Sequence, residues 1–410
     1  MLRFSHHSVK EYFFSASILL SEPCVSFFAI RDTVAHQFAA KVTLIYLWSI
    51  LKSTSAIRGQ HPFLQYSSEF WPKHVHASAV EEREFLELTL AKRIFNKRII
   101  AKWLREYDPE RKYRVPPTGH VIALPLYYSS LLGLKIVTES LLRDPDPAPI
   151  NAVGGHFSTA LQASSVAGNE EIVQLLLQNG ASVNMWGGRY DNALAAAAFY
   201  GHKAVVELLL MYGADIMAAG GNCGTALQAA ASRGHQPVVQ FLVGRLDKKW
   251  TKSQCSRALH DTALNGYTTV VEMLLKNGAC ANAKGGHYGN ALQAAAFNGH
   301  KTVVQLLLRK GATVNAKGGR YGNALQAAAY SGHKTVVQLL LSKEADINKL
   351  GGYHDYALHA AAYTGQMSVV QCLLGNDADA MAQGRYGTAL DAARKKGHEA
   401  VINLLSRIVM

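Results

Sequence analysis

Cysteine is scarce and scattered in this chain. The five residues, Cys24, Cys223, Cys255, Cys280 and Cys372, form no CxxC pair and are odd in number. That argues against a disulfide-built fold and for a reducing compartment, the cytoplasm first and the nucleus as the alternative. A phosphate loop G-x-x-x-x-G-K-[ST] is also missing. Gly299-His300-Lys301-Thr302 and Gly332-His333-Lys334-Thr335 resemble only its tail, with His where Lys should follow Gly, and both fall between two expected helices instead of after a strand. No HExxH occurs, no local motif positions a Ser/His/Asp or Cys/His set, and the paired acids Glu81-Glu82 belong on a solvated helix. The expectation is therefore no enzyme, no cofactor, no metal and no small-molecule substrate. The N-terminus runs straight into charged and His residues, which excludes a signal peptide. The longest apolar run, Val34 to Leu51, contains His36, Gln37 and Lys41 and is expected to be a buried helix, not a membrane span.

What the chain does have is repetition. Its 410 residues are 49% apolar and 17% charged, long enough for two domains and not disordered in bulk. Asn315 to Leu341 reads NAKGGRYGNALQAAAYSGHKTVVQLLL, and Asn282 to Leu308 reads NAKGGHYGNALQAAAFNGHKTVVQLLL. Each copy holds a glycine-rich polar turn, an alanine-rich apolar segment, a Gly-His break and a second apolar segment, which predicts a helix–turn–helix with a connecting loop. The Ala before the Leu of the first helix recurs at Ala160, Ala193, Ala226, Ala258, Ala291, Ala324, Ala357 and Ala389, in steps of 32 or 33. A ninth, looser unit precedes them at Pro125-Leu126, with Gly133 and Ile136-Val137. A unit this small cannot bury its apolar face alone and must stack on its neighbours.

The small residues Ala294, Ala295 and Ala296 let first helices approach closely. Val303-Val304 with Leu306-Leu307-Leu308 is too continuously apolar for a free surface helix and belongs in the seam between units. Gly299 and Gly332 reverse the chain between helices, and Gly278-Ala279 and Gly311-Ala312 end the second helix. His202, His235, His300, His333 and His398 stand one repeat apart, about a helix diameter. They cannot converge to the roughly 2 Å that a zinc ion requires, so they are expected to be hydrogen-bonded turn histidines.

The period and motif resemble the ankyrin repeat family, with its T-P-L-H-x-A-A, Gly-His, V-V-x-x-L-L and Gly-Ala signature, over roughly residues 120 to 410. Asn192, Asn290 and Asn323 replace the family Thr. Gln162, Gln228, Gln293 and Gln326 replace its His, which His260 and His359 keep. The family's Thr–His hydrogen bond is expected to become an Asn–Gln one. The resemblance implies an all-α solenoid of stacked helix–turn–helix units, about eight to nine in number, over residues 119–410.

Upstream, Ser8-Val9-Lys10-Glu11 fits a capping box before the aromatic Tyr12, Phe13 and Phe14, so the chain reads as beginning inside a domain. FSHHSVKEYFFS, carried by Phe4, Ser5, His6, Ser8, Val9, Lys10, Glu11 and Tyr12, resembles the end of the winged-helix segment in fungal NACHT–ankyrin proteins, STAND-type relatives of NOD-like receptors. Phe70-Trp71-Pro72-Lys73-His74 is similar to their helical linker, and Tyr127-Tyr128 with Leu131 to Val137 to their first ankyrin unit. The resemblance implies a winged-helix remnant at 1–20, a helical linker at 21–118 and a nucleotide-binding part upstream of Met1. Breaks are expected at Gly59-Gln60-His61-Pro62 and Pro116-Pro117. Ala79 to Tyr107 reads as one amphipathic helix with Phe85, Leu88, Ile99 and Trp103 toward a core. Its Lys92, Arg93, Lys97, Arg98, Lys102 and Arg105 make a solvated basic face, or alternatively an RNA, phosphoinositide or nuclear-import patch.

Two series of positions keep register while varying in type. Six residues after the anchor stand Phe199, Phe297, Tyr330 and Tyr363, with Val166, Ser232, Leu264 and Lys395 in the other units. The resemblance places this position on the concave groove, where the rings either anchor a protein segment or pack on the next unit. Three residues before the anchor, in the finger loop, stand Tyr190, Tyr288, Tyr321 and Tyr386, with Phe157, Cys223, Cys255 and His354 in the other units; just before these stand Arg189, His287, Arg320 and Arg385, with His156, Asn222, Gln254 and Tyr353 in the others. These either contact a partner or rigidify one finger against another. Gly244 to Arg257 lacks the Gly-Gly turn and reads first as a degenerate finger, with an acidic-partner loop as the alternative. The expected function is a non-enzymatic, monomeric protein-interaction array, the ligand-sensing or scaffold region of a NACHT–ankyrin-like receptor. A free-standing adaptor, such as a ubiquitin-ligase substrate receptor, is the alternative. The net charge of +13 raises nucleic-acid or membrane binding as a remote third, but it is spread evenly along the chain.

Overall fold

Alternating alanine-rich and Val/Leu-rich segments dictate most of the architecture seen in the computed structural model, which describes residues 32–52, 64–110, 124–145, 147, 149–220 and 224–409. The expectations for residues 1–20, for Ser8, for Cys24, Asn222 and Cys223, and for the breaks at 59–62 and 116–117 lie outside the described residues. The chain divides into two units, residues 1–189 and 190–410.

In the first unit, the helix Asp32–Lys52 packs against Leu64–Ala77. It buries Ala40, Leu44, Leu47 and Leu51 and leaves Val34, Phe38, Val42 and Ile45 exposed, so the helix expected to be buried is covered along one side. Among the described residues it alone is long and apolar enough to cross a membrane, by length and composition. Trp71 meets Phe95 and Trp103 edge-on at 6.3 and 5.9 Å, and the Trp103 indole donates to the Ser68 carbonyl (3.1 Å).

The single helix expected from Ala79 to Tyr107 is broken. Val80–Leu86 passes into a π-helical turn, Glu87–Ala91, then Lys92–Ile94, and a new helix, Lys97–Glu106, starts after Phe95-Asn96. The wider turn rotates the buried face. Leu86, Glu87, Ala91 and Ile94 therefore point inward while Phe85 and Leu88, expected in the core, face solvent; Ile99 is half-buried and Trp103 fully buried. Glu87 is not a stray acid in this core. Its carboxylate accepts from the backbone N–H groups of Ile136 (2.9 Å) and Val137 (3.3 Å), at the start of the helix Lys135–Leu142. With Pro125–Leu131 and the left-handed turn at Gly133 (φ +73°), that helix forms a helix–turn–helix pair preceding Ala160–Ala167 and Glu170–Gln178.

In the second unit the pairs run from Ala193–Tyr200 with Lys203–Met211 to Ala389–Lys396 with Glu399–Val409. The first helices lie against one another, burying Ala294, Ala295 and Ala296 completely, and the second helices bury Val303, Val304 and Leu307. At roughly 25 cal/mol per Å² of apolar surface, these seams are the main stabilising term. The loops before the first helices are short antiparallel turns, Lys284–Gly285 with Gly289–Asn290 and the bridge Gly318–Gly322.

Two sequence expectations are corrected here. First, among the described residues no Asn–Gln side-chain bond replaces the family's Thr–His one. Asn290 and Asn323 cap their helices by accepting from the backbone N–H of Gln293 and Gln326 (2.9 Å each). The glutamine amides instead reach into the next finger. Gln326 Nε2 donates to the carbonyls of Lys349 (3.0 Å) and Asp355 (2.6 Å), and His359 Nε2 makes the equivalent bond to Gly387 (3.0 Å). Capping and stapling are thus divided between the two residues. Second, Gly244–Arg257 is neither a degenerate finger nor a loop over most of its length. One helix, Lys248–Leu264, extends the first helix of that repeat backward, burying Gln254 and Cys255. No residue there takes a left-handed turn, and the segment has no Gly-Gly to allow one.

Candidate functional site: an aromatic ladder with cationic edges

The two register series are not separate surfaces. Within the second unit they interleave into one run of rings: Tyr288 to Phe297 (4.7 Å between centroids), Phe297 to Tyr321 (4.8 Å), Tyr321 to Tyr330 (4.9 Å), Tyr330 to His354 (5.2 Å), His354 to Tyr363 (4.7 Å) and Tyr363 to Tyr386 (5.3 Å). A finger ring thus alternates with a helix-end ring. The two are nine residues apart, and the intervening helix of seven residues is only about 10 Å long, a span that two long side chains can close. Tyr321 and His354 are buried, whereas Tyr288, Phe297, Tyr330, Tyr363 and Tyr386 are half-buried. Packing and partial exposure therefore occur in the same side chains. His354, the ring that joins two tyrosines, was legible only as a member of the finger series.

Glycine brings the fingers this close. Methyl groups built on Gly319 and Gly352, at φ +63° and +70°, would come within 2.6 Å of the backbone nitrogens of Gly289 and Gly322 in the preceding finger. The Gly-Gly-x-Tyr-Gly spacing is therefore a backbone-on-backbone stack, with the Tyr carried along. The turn histidines hold the other end. Nε2 of His235, His300 and His398 bonds to the carbonyls of Phe199, Leu264 and Tyr363 (2.9–3.1 Å), the helix-end residues of the preceding repeat.

Tyr190 and Phe199 form a separate cluster with Tyr200, centroids 4.8 Å apart, with the Tyr190 and Tyr200 hydroxyls bonded at 2.8 Å and the Arg233 guanidinium 4.3 Å over Phe199. Among the described residues the ladder does not continue between them and Tyr288: Ser232 and Leu264 hold the helix-end positions and the helix Lys248–Leu264 replaces a finger. Arg189 belongs to the first unit; it is exposed, and its backbone N–H donates to the His156 carbonyl (3.2 Å).

Cations line the C-terminal end of the ladder. Arg320 and Arg385 both lie over Tyr353, at 5.8 and 4.5 Å; Lys395 sits 4.3 Å over Tyr386 and Lys396 4.8 Å over Tyr363. Such contacts are worth about 0.5–1 kcal/mol each where exposed. The Tyr386 hydroxyl donates to that of Tyr353 (3.2 Å). That bond, with Arg385 and Arg320 nearby, lowers the Tyr353 pKa below the usual phenol value. His354 is pushed down to about 4, by burial first and then by Arg320, so it is neutral near pH 7 and adds no charge. Burial raises Tyr321.

The basic face of the first unit is partly committed to its own fold. Arg93 lies 5.8 Å over Trp48, and Lys102 donates to the Leu51 carbonyl (2.8 Å). Lys92, Arg93, Trp48 and Leu88 border a depression of about 430 Å³. The side chains of Lys97 and Arg98 lie outside the described residues. Among the described residues no group of three or more His, Cys, Asp or Glu is arranged to hold a metal ion.

Comparison with known proteins agrees with this geometry. A family model for ankyrin repeats matches three times, over residues 126–220, 218–285 and 259–350, and a single-repeat model matches residues 353–385. The chain is also similar to azaphilone pigments biosynthesis cluster protein L of Monascus ruber, 33% identical over 196 residues, which is 44% of this chain and 41% of that protein. The chain therefore spans about two fifths of that relative's length. Since the repeat models account for more than half of its residues, the protein belongs to the ankyrin-repeat family.

Proposed function

We propose that the second unit is a docking surface for a protein partner, with the Tyr288–Tyr386 ladder as its anchor strip, and that it binds without catalysing a reaction. The carrying observation is that Phe297, Tyr330 and Tyr363 are neither buried nor free. Each is fixed by neighbouring rings while keeping part of its surface in water. A strip already held rigid loses little freedom on binding, which leaves most of the ordering cost to the partner. Ankyrin repeats in general support a protein-interaction role. Finer context comes from the resemblance of residues 4–12 and 70–74 to NACHT–ankyrin proteins. On that reading residues 119–410 are the ligand-sensing or scaffold array of such a receptor, residues 21–118 its helical linker and residues 1–20 the end of its winged helix. Residence in the cytoplasm, as a monomer, is part of the same reading.

The test is affinity capture from cell extract with the full chain and with a variant carrying Phe297→Ala, Tyr330→Ala and Tyr363→Ala, after circular dichroism shows that the variant is folded. A partner held by the wild type and lost by the variant supports docking on the ladder. An unchanged set of partners refutes it. The receptor context is tested separately, by whether the genomic reading frame upstream of Met1 encodes a phosphate-loop module.

A further inference from the structure

The C-terminal end of the ladder has an electrostatic character that docking alone does not require. Arg320 and Arg385, from different repeats, share the single ring of Tyr353, and Lys395 and Lys396 lie over the two rings beyond it. Among the described residues none of the four forms an ion pair. Two acids of these repeats have partners of their own: Asp391 pairs with Arg394 (3.6 Å), and Asp355 accepts from the Arg385 backbone N–H. Two like charges gathered on one exposed tyrosine raise the local potential and favour an anion beside them. Tyr353 is itself suited to meet one. Its oxygen already accepts from Tyr386, so its own O–H is free to donate outward.

We propose that the surface made by Arg320, Tyr353, Arg385, Tyr386, Lys395 and Lys396 receives an acidic segment of a protein partner, its carboxylates set against the two guanidinium groups. This rests on the docking reading above and specifies the chemistry of the partner. A carboxylate suits the planar fork of Arg, which offers two parallel donors. A nucleic acid fits less well, because the ladder offers few open ring faces. Tyr363 and Tyr386 stack on each other at an interplanar angle of 16°, His354 packs against both, and a lysine lies over each, leaving little for a base to stack on.

The experiment is fluorescence anisotropy on the full chain with a labelled peptide of alternating Glu and Gly. About 12 residues, at roughly 3.3 Å each, would cross about four repeats spaced about 10 Å apart. A Gln-for-Glu peptide and an oligothymidine of matching length are the comparison probes. The Glu peptide should bind at least about tenfold more tightly than the Gln peptide, and Arg320→Gln with Arg385→Gln should erase most of that difference. Lys301→Gln with Lys334→Gln, which removes two exposed cations away from the ladder, should leave it intact. Equal binding of the Glu and Gln peptides, tighter binding of the oligothymidine, or equal losses in the two double variants would overturn the inference. If a partner captured through Phe297, Tyr330 and Tyr363 binds the Arg320/Arg385 variant unchanged, docking on the ladder stands and the acidic segment falls.

Discussion

Replacing Gly322 with Ala should destabilise the second unit far more than the same change at Gly311, although the two glycines have the same backbone conformation. Both sit at φ +84°. A left-handed residue with a Cβ costs about 1–2 kcal/mol, partly offset by the reduced freedom of the unfolded chain. At Gly311 that is the whole effect, because a methyl group built there has nothing within 4 Å; about 1 kcal/mol is expected. At Gly322 the same methyl would overlap the Gln326 amide and lie 2.6 Å from the backbone carbon of Gly351 and the backbone nitrogen of Gly352. Backbone cannot swing aside, so an overpacking cost of about 1–3 kcal/mol adds to the same net strain of about 1 kcal/mol, for a total of about 2–4 kcal/mol. Gly332→Ala (φ +81°) should fall between them, since its methyl meets only the flexible end of Gln366. Urea unfolding followed by far-UV circular dichroism would rank the three by midpoint and slope. If Gly322→Ala and Gly311→Ala shift the midpoint equally, the finger-on-finger contact has no energetic content and the account of the Gly-Gly-x-Tyr-Gly spacing is wrong.

Three further outcomes follow from the same geometry. Gln326→Ala should cost about 1–3 kcal/mol in urea unfolding by removing the amide donor to the Lys349 carbonyl and one of the two donors to that of Asp355, which keeps the Gly351 N–H, and Gln326→His should recover most of it, because His359 already makes the equivalent bond one repeat on. Phe297→Leu and Tyr321→Leu, with centroids 4.8 Å apart, should couple by about 0.5–1.5 kcal/mol in a double-mutant cycle, whereas Phe199→Leu and Tyr321→Leu should simply add. In the first unit, burial raises the Glu87 pKa from 4.5 to about 7 against the opposing pull of its two backbone bonds. Its contribution to stability is then complete below about pH 4.5 and is lost as pH rises through about 7. Glu87→Gln keeps the acceptor and removes the charge. Calorimetry should show it more stable than wild type by about 2–3 kcal/mol at about pH 8, with little difference at about pH 4; a gap that does not depend on pH would refute the assignment.

The sequence by itself determined the repeat. The anchors from Ala160 to Ala389, the Gly-His turn and the Val-Val-x-x-Leu-Leu run are local signals tied to short-range backbone geometry, and they placed the helices and the seams between them. It also brought both aromatic series into view, because each keeps a fixed offset from the anchor. Tertiary structure alone decided that the two series are one ladder, since a contact such as Phe297 to Tyr321 depends on how closely two fingers stack. The same holds for the glutamine staples, which were expected within one repeat and instead cross to the next, and for the exposure of Phe85 and Leu88, which a π-turn rotated out of the face that a regular helix would have given them. A periodic sequence states which residues are equivalent. The distance between equivalent units is set by the glycines and the side chains packed between them, and that distance decides which rings touch and which cations share a ring.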